Sequence, residues 1–374
     1  NSFIPFDVKR ELGLPTYKEK DAIYTYHFYH LLQRAKTVYL LYNTESEGID
    51  AGEKSRFITQ LEVEKQSNHT ITHQIYNAAL PEKVTVPMVV SKSDLLMGRL
   101  HEMAINGFSP STLTTYIRNP IQFYFQRVLR ISENEEVEEN IAANTLGTII
   151  HASLEELYKP YLNSLLSVSI IERMLQIVND EVFRQFKKVY KEGEIAKGKN
   201  LLAFEVAKRN VVNFLLLEKK LLQNGDLVTV LYLEKNFERT LEDYRLPFPV
   251  KIKGNVDRIE LRNNVLRIID YKTGKVDPRD LVVKDWNLLL GVKYEKAIQL
   301  LAYCLMTQET YATQKVETGI ICFKNMAKEF MSLGIKTKEE TIIDAAILED
   351  YTQKIVELIA EILNPNIPFS EKVN

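Results

Sequence analysis

The sequence predicts a mixed α/β protein in which helices flank a small central sheet, because two kinds of periodicity occupy separate blocks. Strand-like runs rich in β-branched residues fill 227–274. Helical repeats of apolar residues lie on both sides of that block, at 146–223 and at 294–306. The composition is that of a globular chain, with 45% hydrophobic and 26% charged residues over 374 positions, enough for two or three domains.

The N-terminal part, 1–85, predicts a small α/β unit of its own. We expect a helix over 18–35, a strand at TVYLLYN (37–43) and a second helix over 55–65. Prolines and polar residues follow this unit. We therefore expect residues 86–106 to connect it to the next domain.

The remaining region, 107–374, predicts one larger domain. It opens on a helix-start signal, with Ser109 as a good N-cap before Pro110. Apolar stripes and strand-like alternation then follow each other along the chain. The expected elements are helices near 146–158, 168–190 and 199–223, strands within 227–274, a helix near 294–306, strands near 316–323 and 329–334, and a helix near 347–363.

Several classes of protein are disfavoured at this stage. No apolar run reaches the roughly 18 residues of a membrane span, and the first residues lack the apolar core of a signal peptide. Since the chain lacks an initiator Met, we expect it to be part of something longer. The cysteines, Cys304 and Cys322, are too few for a disulfide scaffold or a four-thiolate metal site, so we expect a reducing, cytoplasmic location.

The net charge of −2 at first disfavours a nucleic-acid partner, but the charge is unevenly distributed. Five glutamates lie in ENEEVEE (133–139), so the rest of the chain carries +3, the −2 total less five negative charges. Ten basic residues stand against five acidic ones over 181–220, and seven against three over 250–275. The chain is therefore compatible with a local, salt-sensitive track for DNA.

The segment GNVDRIELRNNVLRIIDYKTG carries the strongest chemical signal. A two-residue hairpin loop at Asn263 and Asn264 is favoured, because such loops need positive φ and asparagine tolerates it. In that register Asp257 lies opposite Asp270 on one face, with Cβ atoms about 5 Å apart. Lys272, two residues beyond Asp270, shares the face.

Two opposed carboxylates repel each other unless their charge is offset. A divalent cation would offset it, and oxygen ligands suit Mg²⁺ or Mn²⁺. Lys272 beside that cation would stabilise an anionic transition state or help to position a water. The alternative is an ordinary surface hairpin whose acids are solvated or paired with neighbouring arginines, namely Arg258, Arg262 and Arg267.

A second set of candidates lies on helices. His151 and Glu155 are four residues apart and share a helix face, and Gly147 one turn earlier leaves room for a close approach. Gln299 and Tyr303 form another pair with the same spacing. The structural alternatives are a histidine that binds no ligand and a plain polar helix edge.

Taken in order, these motifs resemble the series of the PD-(D/E)XK nucleases of the RecB/AddB type. The resemblance covers roughly residues 105–370 and implies a restriction-endonuclease-like core with a central mixed sheet. The matching segments are SPSTLTTYIRNPIQFYF, Gly147-x-x-x-His151, GNVDRIE with Asp257, IIDYKTG with Asp270 and Lys272, and Gln299-x-x-x-Tyr303.

The resemblance implies a role for each matched position. Asp257 and Asp270 would hold the catalytic Mg²⁺ or Mn²⁺, together with His151 and the backbone carbonyl of Tyr271. Lys272 would act on the attacking water and the scissile phosphate. The implied reaction is hydrolysis of a phosphodiester bond by a metal-activated water, without a covalent intermediate.

The other matched residues would support this chemistry. Gln299 and Tyr303 would contact the DNA strand or brace the site, and Glu155 would be an additional member. The implied biology is exonuclease action on a single strand or duplex end during double-strand-break repair and recombination. Many AddB-type proteins also hold an iron–sulfur cluster, but Asn119 stands where their first cysteine lies and the C-terminal NPNIPFSEKVN has none, so we expect no cluster.

The N-terminal unit carries a resemblance of its own. YHFYHLLQRAKTVYLLYN resembles the last motif of a superfamily 1 helicase core, in which Arg34 would sense the ATP γ-phosphate. The chain has no G-x-x-x-x-G-K-[ST] loop, so its ATP site would be incomplete and it should not hydrolyse ATP. We therefore expect a helicase remnant over 1–85 and a helicase partner, or a missing helicase region, to complete it.

Two alternatives to a DNA nuclease stay open at this point. One is a catalytically silent module that binds DNA ends or acts as a scaffold, which the complete set of Asp257, Asp270 and Lys272 disfavours. The other is a nuclease acting on RNA, because single-strand binding through charge and stacking discriminates poorly between the two polymers.

Overall fold

The chain folds as two compact units, Asn1–Lys83 and Val84–Asn374. The acidic segment 133–139 lies outside the residues that the structure describes. Among the described residues, no helix combines the length and apolar character needed to cross a bilayer. The residues described by the computed structural model are 6–11, 13, 16–42, 54–75, 86–131, 141–190, 197–311, 314–337 and 339–372.

The first unit is helical where it is described, with α1 (Phe6–Glu11), α2 (Tyr17–Leu32) and α3 (Arg56–Val63). The last two match the predicted helices. The predicted strand at TVYLLYN is wrong over 37–42, which form no strand, and the Leu41 side chain there is 93% exposed. An extended apolar segment needs a partner strand to satisfy its backbone, and no described residue of this unit supplies one.

The region 86–106, expected to be a connection, instead contains helix α4 (Asp94–Asn106). This helix belongs to the second unit and buries Leu96, Leu100 and Ala104 in its hydrophobic core. Their spacing is that of one helix face, a signal that the neighbouring prolines obscured. The first core helix of the second unit therefore begins before the expected boundary.

The other helices of the second unit lie close to their predicted ranges. Ser109 caps the first of them as expected, since its Oγ accepts a hydrogen bond from Thr112 N–H at 3.1 Å. Asn119 caps the next through a bond from Ile121 N–H to its Oδ1 at 3.0 Å. The helices are α5 (Pro110–Arg118), α6 (Pro120–Phe123), α7 (Ala143–Tyr158), α8 (Val168–Val189), α9 (Gly198–Gln223), α10 (Glu295–Thr307) and α11 (Ala345–Leu363).

A mixed six-stranded sheet forms the centre of the second unit. Its order is β2-β3-β4-β6-β7, with β9 also pairing with β6, and only the β4–β6 pair is parallel. Two short pairs, β1 with β10 and β5 with β8, lie apart from it. The strands are β1 (Val89–Val90), β2 (Val228–Leu241), β3 (Val250–Arg262), β4 (Val265–Lys272), β5 (Val282–Val283), β6 (Val316–Cys322), β7 (Met331–Ser332), β8 (Gly334–Ile335), β9 (Ile342–Ile343) and β10 (Phe369–Ser370).

The hairpin between β3 and β4 has the predicted register. Asn263 and Asn264 form its loop with φ of 51° and 66°, the left-handed conformation that the prediction requires. The ladder runs from Arg262 opposite Val265 to Arg258 opposite Ile269. The next position in this register pairs Asp257 with Asp270.

Both faces of the sheet are covered by hydrophobic clusters. Along β4, Leu266 and Ile268 join a cluster with α4, α5, α10 and α11, while Ile269 and Tyr271 join a second cluster with α7, α8 and α9. Because successive side chains of a strand point to opposite faces, β4 is apolar along most of its length. Asp270 is the buried acid within this apolar strand.

A network of ion pairs is buried beneath α9. Arg258, fully buried, lies 3.1 Å from Glu218 Oε2 and 2.5 Å from Glu260 Oε2. Arg262 contacts Glu260 at 2.7 Å, Glu218 at 2.5 Å and Asp226 at 2.8 Å. Burial favours the neutral form of Glu260, but the two guanidinium groups outweigh it and lower its pKa to about 2. Each charge of the network is therefore offset within the protein.

Removing one partner from this network should lower the stability of the protein. In Glu218→Ala, both arginines lose a buried carboxylate, so we expect the free energy of unfolding to fall by about 3–5 kcal/mol in urea denaturation. Glu205→Ala, on the same helix, removes an exposed partner of Lys208 and should change the stability by no more than about 0.5 kcal/mol. Equal losses in the two variants would contradict a structural role for the network.

Candidate metal centre

The predicted site residues come together from two neighbouring strands and two helices. Asp257 lies on β3, Asp270 and Lys272 lie on β4, His151 lies on α7, and Gln299 lies on α10. Polar contacts join them in two sets, His151 with Asp257 and Lys272 with Asp270 and Gln299. The hairpin therefore brings one half of the site together, and the two helices complete it.

Asp257 is held in place by the neighbouring strand. Its Oδ2 accepts a hydrogen bond from the Tyr271 N–H at 2.6 Å, and its Oδ1 lies 3.8 Å from His151 Nδ1. The carboxylate is buried. One carboxylate oxygen is thus used by the backbone and the other faces the histidine.

A chain of polar contacts runs from Asp270 to Tyr303. Lys272 Nζ lies 3.0 Å from Asp270 Oδ1 and 2.8 Å from Oδ2, and it donates to Gln299 Oε1 at 3.2 Å. Gln299 Nε2 in turn donates to Asp270 Oδ1 at 3.0 Å and to the Tyr303 hydroxyl at 2.6 Å. The Gln299 amide therefore fixes the lysine, the acid and the tyrosine relative to one another.

Glu234, which no sequence motif indicated, also lies in this cluster. Its Oε1 lies 3.0 Å from His151 Nδ1, and its neighbours on β2 pair with Arg258 and Val256, which places it across from Asp257. Its φ is +42°, a left-handed conformation that is rare for a residue within a strand. A single glutamate in LYLEK offers no motif, so only the fold shows its role in the cluster.

The donor set fits a divalent cation. One ligand atom from each of His151, Glu234 and Asp257 lies within 4.8 Å of the others. Asp270 Oδ2 is buried and makes no well-aligned hydrogen bond, although the Lys272 ammonium is close to it. Carboxylate oxygens with one imidazole nitrogen suit Mg²⁺ or Mn²⁺, so these residues can hold such an ion.

The arginines that offered an alternative partner for the two aspartates are used elsewhere. Arg258 and Arg262 belong to the buried network with Glu218 and Glu260. Arg267 lies 3.2 Å from Glu317. The ordinary ion-paired hairpin is therefore not what the structure shows.

The electrostatics of the site favour extra positive charge. Burial raises the pKa of Asp257 to about 7, and the charges of Asp270 and Glu234 add to this effect. Burial likewise raises the pKa of Asp270, against the lowering effect of Lys272. Burial would lower the pKa of His151, but its hydrogen bond to Glu234 and the charge of Asp257 outweigh this and raise it. Burial thus disfavours the charged form of both aspartates, and the neighbouring acids favour the protonated form of His151.

The remaining predicted residues lie around this cluster. Gly147 permits the close approach expected of it, because an added Cβ would lie 3.2 Å from Thr273 Oγ1. The Tyr271 ring packs edge-on against the His151 ring, with 5.6 Å between centroids. Glu155 is half-buried outside the ligand cluster, and burial raises its pKa with a contribution from the charge of Glu234.

The chain is similar in sequence to known proteins over part of their length. The chain is 24% identical over 223 residues to an uncharacterized protein of Rickettsia conorii, covering 57% of this chain and 23% of that protein. It is 24% identical over 188 residues to a subunit of an ATP-dependent helicase/deoxyribonuclease of Streptococcus agalactiae, covering 50% of this chain and 16% of the relative. The matches thus span about a quarter or less of the curated relatives.

A solved structure, protein VC1899 from Vibrio cholerae, matches 75% of this chain and 60% of its own at 12% identity, but the TM-score of 0.19 is too low to support an argument. The family comparison is more informative. Residues 107–374 match the sequence model of the PD-(D/E)XK nuclease superfamily. The match includes the six-stranded sheet and every site residue described above. The chain belongs to the PD-(D/E)XK nuclease superfamily.

Proposed function

We propose that this chain is a metal-dependent deoxyribonuclease, the nuclease part of a helicase–nuclease that acts as an exonuclease in double-strand-break repair and recombination. The observation that carries the proposal is the Lys272 ammonium, fixed between Asp270 and Gln299. Opposite Asp270 in the hairpin register lies a second buried acid, Asp257. Two buried like charges lower the stability of the fold, and a silent scaffold would have no chemical reason to keep them.

The ligands of the cation follow from the donor set. We propose that Asp257, Asp270, His151 and the Tyr271 backbone carbonyl hold Mg²⁺ or Mn²⁺, with Glu234 as a further ligand or as the group that orients His151. When bound, the cation supplies Lewis-acid chemistry, offsetting the charge of the phosphate and acidifying a water. Such a cation would also offset the mutual repulsion of the acids that hold it.

The other residues position the reacting groups. Lys272 has three N–H donors, of which Asp270 and Gln299 take two, so one is free for a phosphate oxygen or the attacking water. The Lys272 ammonium at this place would stabilise the negative charge that develops on the phosphate during the reaction. Gln299 and Tyr303 hold the ammonium in place, and Glu155 lies on α7 four residues after His151, outside the cluster of ligand atoms.

The substrate and partners are inferred from the relatives. The helicase/deoxyribonuclease relative in Streptococcus agalactiae supports DNA as the substrate and a helicase as the partner. We retain the prediction of a motor remnant over 1–85 and of a cytoplasmic location. Arg34, its proposed γ-phosphate sensor, is exposed after α2.

Changing the lysine or its aspartate should abolish cleavage. With Mg²⁺ and linear single-stranded DNA, Lys272→Ala and Asp270→Asn should lower kcat by at least about 100-fold, since each removes charge stabilisation or a ligand. Lys354→Ala on α11, where the lysine pairs with Glu357, should cut at the wild-type rate. Wild-type cleavage by Lys272→Ala would refute the site, and a wild type that binds DNA but never cuts would favour the silent module.

The exonuclease part of the proposal has a separate test. An enzyme that needs a strand end should degrade linear single-stranded DNA and leave the covalently closed circle of the same sequence intact. Gel analysis with the wild-type protein and Mg²⁺ distinguishes the two. Equal loss of circle and line would show endonuclease action.

Binding of the cation should be linked to protons. Asp257, with a pKa of about 7, must lose its proton to bind a cation, so affinity should weaken about tenfold per pH unit below 7. The increase in melting temperature on adding Mn²⁺ should therefore be larger at pH 8 than at pH 6. Asp257→Asn should show a small increase at both pH values, and a pH-independent increase in the wild type would contradict the assignment.

Glu234 offers a test that the sequence motifs do not suggest. Glu234→Gln keeps the size of the side chain but removes its charge, and we expect the affinity for Mn²⁺ to fall by about 10–100-fold in calorimetry. Glu238→Gln, on the same strand and paired with exposed Lys251, is the matched control and should bind as the wild type. Unchanged affinity in Glu234→Gln would exclude this residue from the metal centre.

A further inference from the structure

A basic cavity of about 490 Å³ lies in the second unit, away from the predicted metal ligands. Its walls come from the C-terminal half of α4, the turn that joins α4 to α5, the π-helical turn Tyr124–Val128 and strand β3. Its charged lining residues are Arg99, Glu102, Arg127, Arg130 and Lys253. Four positive charges thus face one negative charge across an open pocket.

The backbone around this cavity is fixed to β3. Phe108 N–H donates to the Lys251 carbonyl and Lys253 N–H donates to the Phe108 carbonyl, both at 2.9 Å. Gly107 has a φ of +100°, and an added Cβ would lie 3.1 Å from the Lys253 side chain. Both the positive φ of the turn and the nearby Lys253 side chain therefore favour glycine at position 107.

Among the residues that the structure describes, the cations of the cavity lack ion-pair partners. Within the described part of the chain, Arg99, Arg130 and Lys253 make no ion pair, and Arg127 makes a single 3.5 Å hydrogen bond to Thr115 Oγ1. The Arg127 Nε is buried without a hydrogen-bond partner. A buried guanidinium nitrogen left unpaired is costly unless a ligand satisfies it.

The backbone of the arginines points to the same conclusion. Arg127 lies on a π-helical turn, a rare element that is frequent at functional sites. Arg130 has a φ of +56°, a strained conformation for a residue with a side chain. Such strain persists where the surrounding structure enforces it, and here it places a further cation at the cavity.

The cavity is connected to the metal centre through β3. Gly254 follows Lys253, and an added Cβ at Gly254 would lie 3.2 Å from the Tyr303 ring, which is bonded to Gln299. Asp257 is four residues from Lys253 along the strand, or about 13 Å. A strand of nucleic acid of a few nucleotides covers that distance, since single-strand sites commonly take about four or more nucleotides.

We infer that this cavity is a phosphate-binding site for the nucleic-acid strand that the metal centre cuts. The inference rests on the proposed function for the identity of the strand. Planar guanidinium groups with an ammonium suit phosphate oxygens, which arginine binds in bidentate fashion. The phosphate is either an internal phosphodiester or the monoester at a strand end, and both present anionic phosphate oxygens to the guanidinium groups.

The test measures binding apart from cleavage. Arg99→Ala/Lys253→Ala removes two exposed cations from the whole chain, and a labelled oligothymidylate in EDTA reports affinity by fluorescence anisotropy. We expect the double variant to bind more weakly and the slope of log K against log salt to become shallower by about 1.4, or about 0.7 for each lost phosphate contact. Arg99→Lys/Lys253→Arg keeps the charges and should retain most of the slope.

The matched control is Lys251→Ala, two residues from Lys253 on the same strand, whose lysine pairs with Glu238 and does not line the cavity. It should bind as the wild type. A double variant with unchanged affinity and slope, or a control with an equal loss, would overturn the site. In steady-state cleavage the double variant should raise KM and leave kcat unchanged, which separates it from Lys272→Ala.

Two probes identify the source of the phosphate. A loss of binding confined to the 5′-phosphorylated oligonucleotide assigns the cavity to a strand end, and an equal loss with the 5′-hydroxyl probe assigns it to internal phosphodiesters. Binding is measured in EDTA, which prevents cleavage, so affinity and activity are scored separately. A wild-type protein that binds through the cavity in EDTA but does not cut DNA with Mg²⁺ would refute only the proposed function. A protein that cuts but whose double variant binds normally would refute only the cavity.

Discussion

The repulsion between buried carboxylates is the constraint on which the rest of the site depends. The asparagine loop fixes the register of the β3–β4 hairpin, and that register brings Asp257 and Asp270 together beneath the surface. Glu234 approaches from the third strand and bonds His151. Three neighbouring features place or favour positive charge beside these acids. They are the raised pKa of His151, the Lys272 ammonium beside Asp270, and a donor set that fits a divalent cation.

The same hairpin separates two kinds of charge. Asp257 faces the proposed metal centre, whereas Arg258 and Arg262 turn into the core beneath α9 and are neutralised there by glutamates. The surplus of basic residues counted over 250–275 is therefore partly internal and gives less surface potential than the sequence suggests. Lys253, which makes no ion pair among the described residues, lies instead at the cavity beside Arg99, Arg127 and Arg130, where these cations would meet a polyanion.

Much of the fold and the site could be predicted because the signals were local. Strand alternation and a two-asparagine loop define the hairpin, and apolar stripes define the long helices, so their ranges agree within a few residues with the structure. Glu234 could not be predicted, since its place depends on a positive φ within a strand and on the pairing of β2 with β3. The strand expected at 37–43 failed because propensity cannot supply a partner, and α4 was missed because nearby prolines suggested a linker.

The location of a bound cation tests the central claim most directly. Crystals of the protein with MnCl₂, measured at the manganese absorption edge, would show where the ion binds through its anomalous signal. The account predicts one peak within coordination distance of Asp257, Asp270 and His151, and its loss in Asp257→Asn. A peak elsewhere, or an acid cluster that stays free of metal while a Lys272–Asp270 ion pair persists at saturating Mn²⁺, would contradict it.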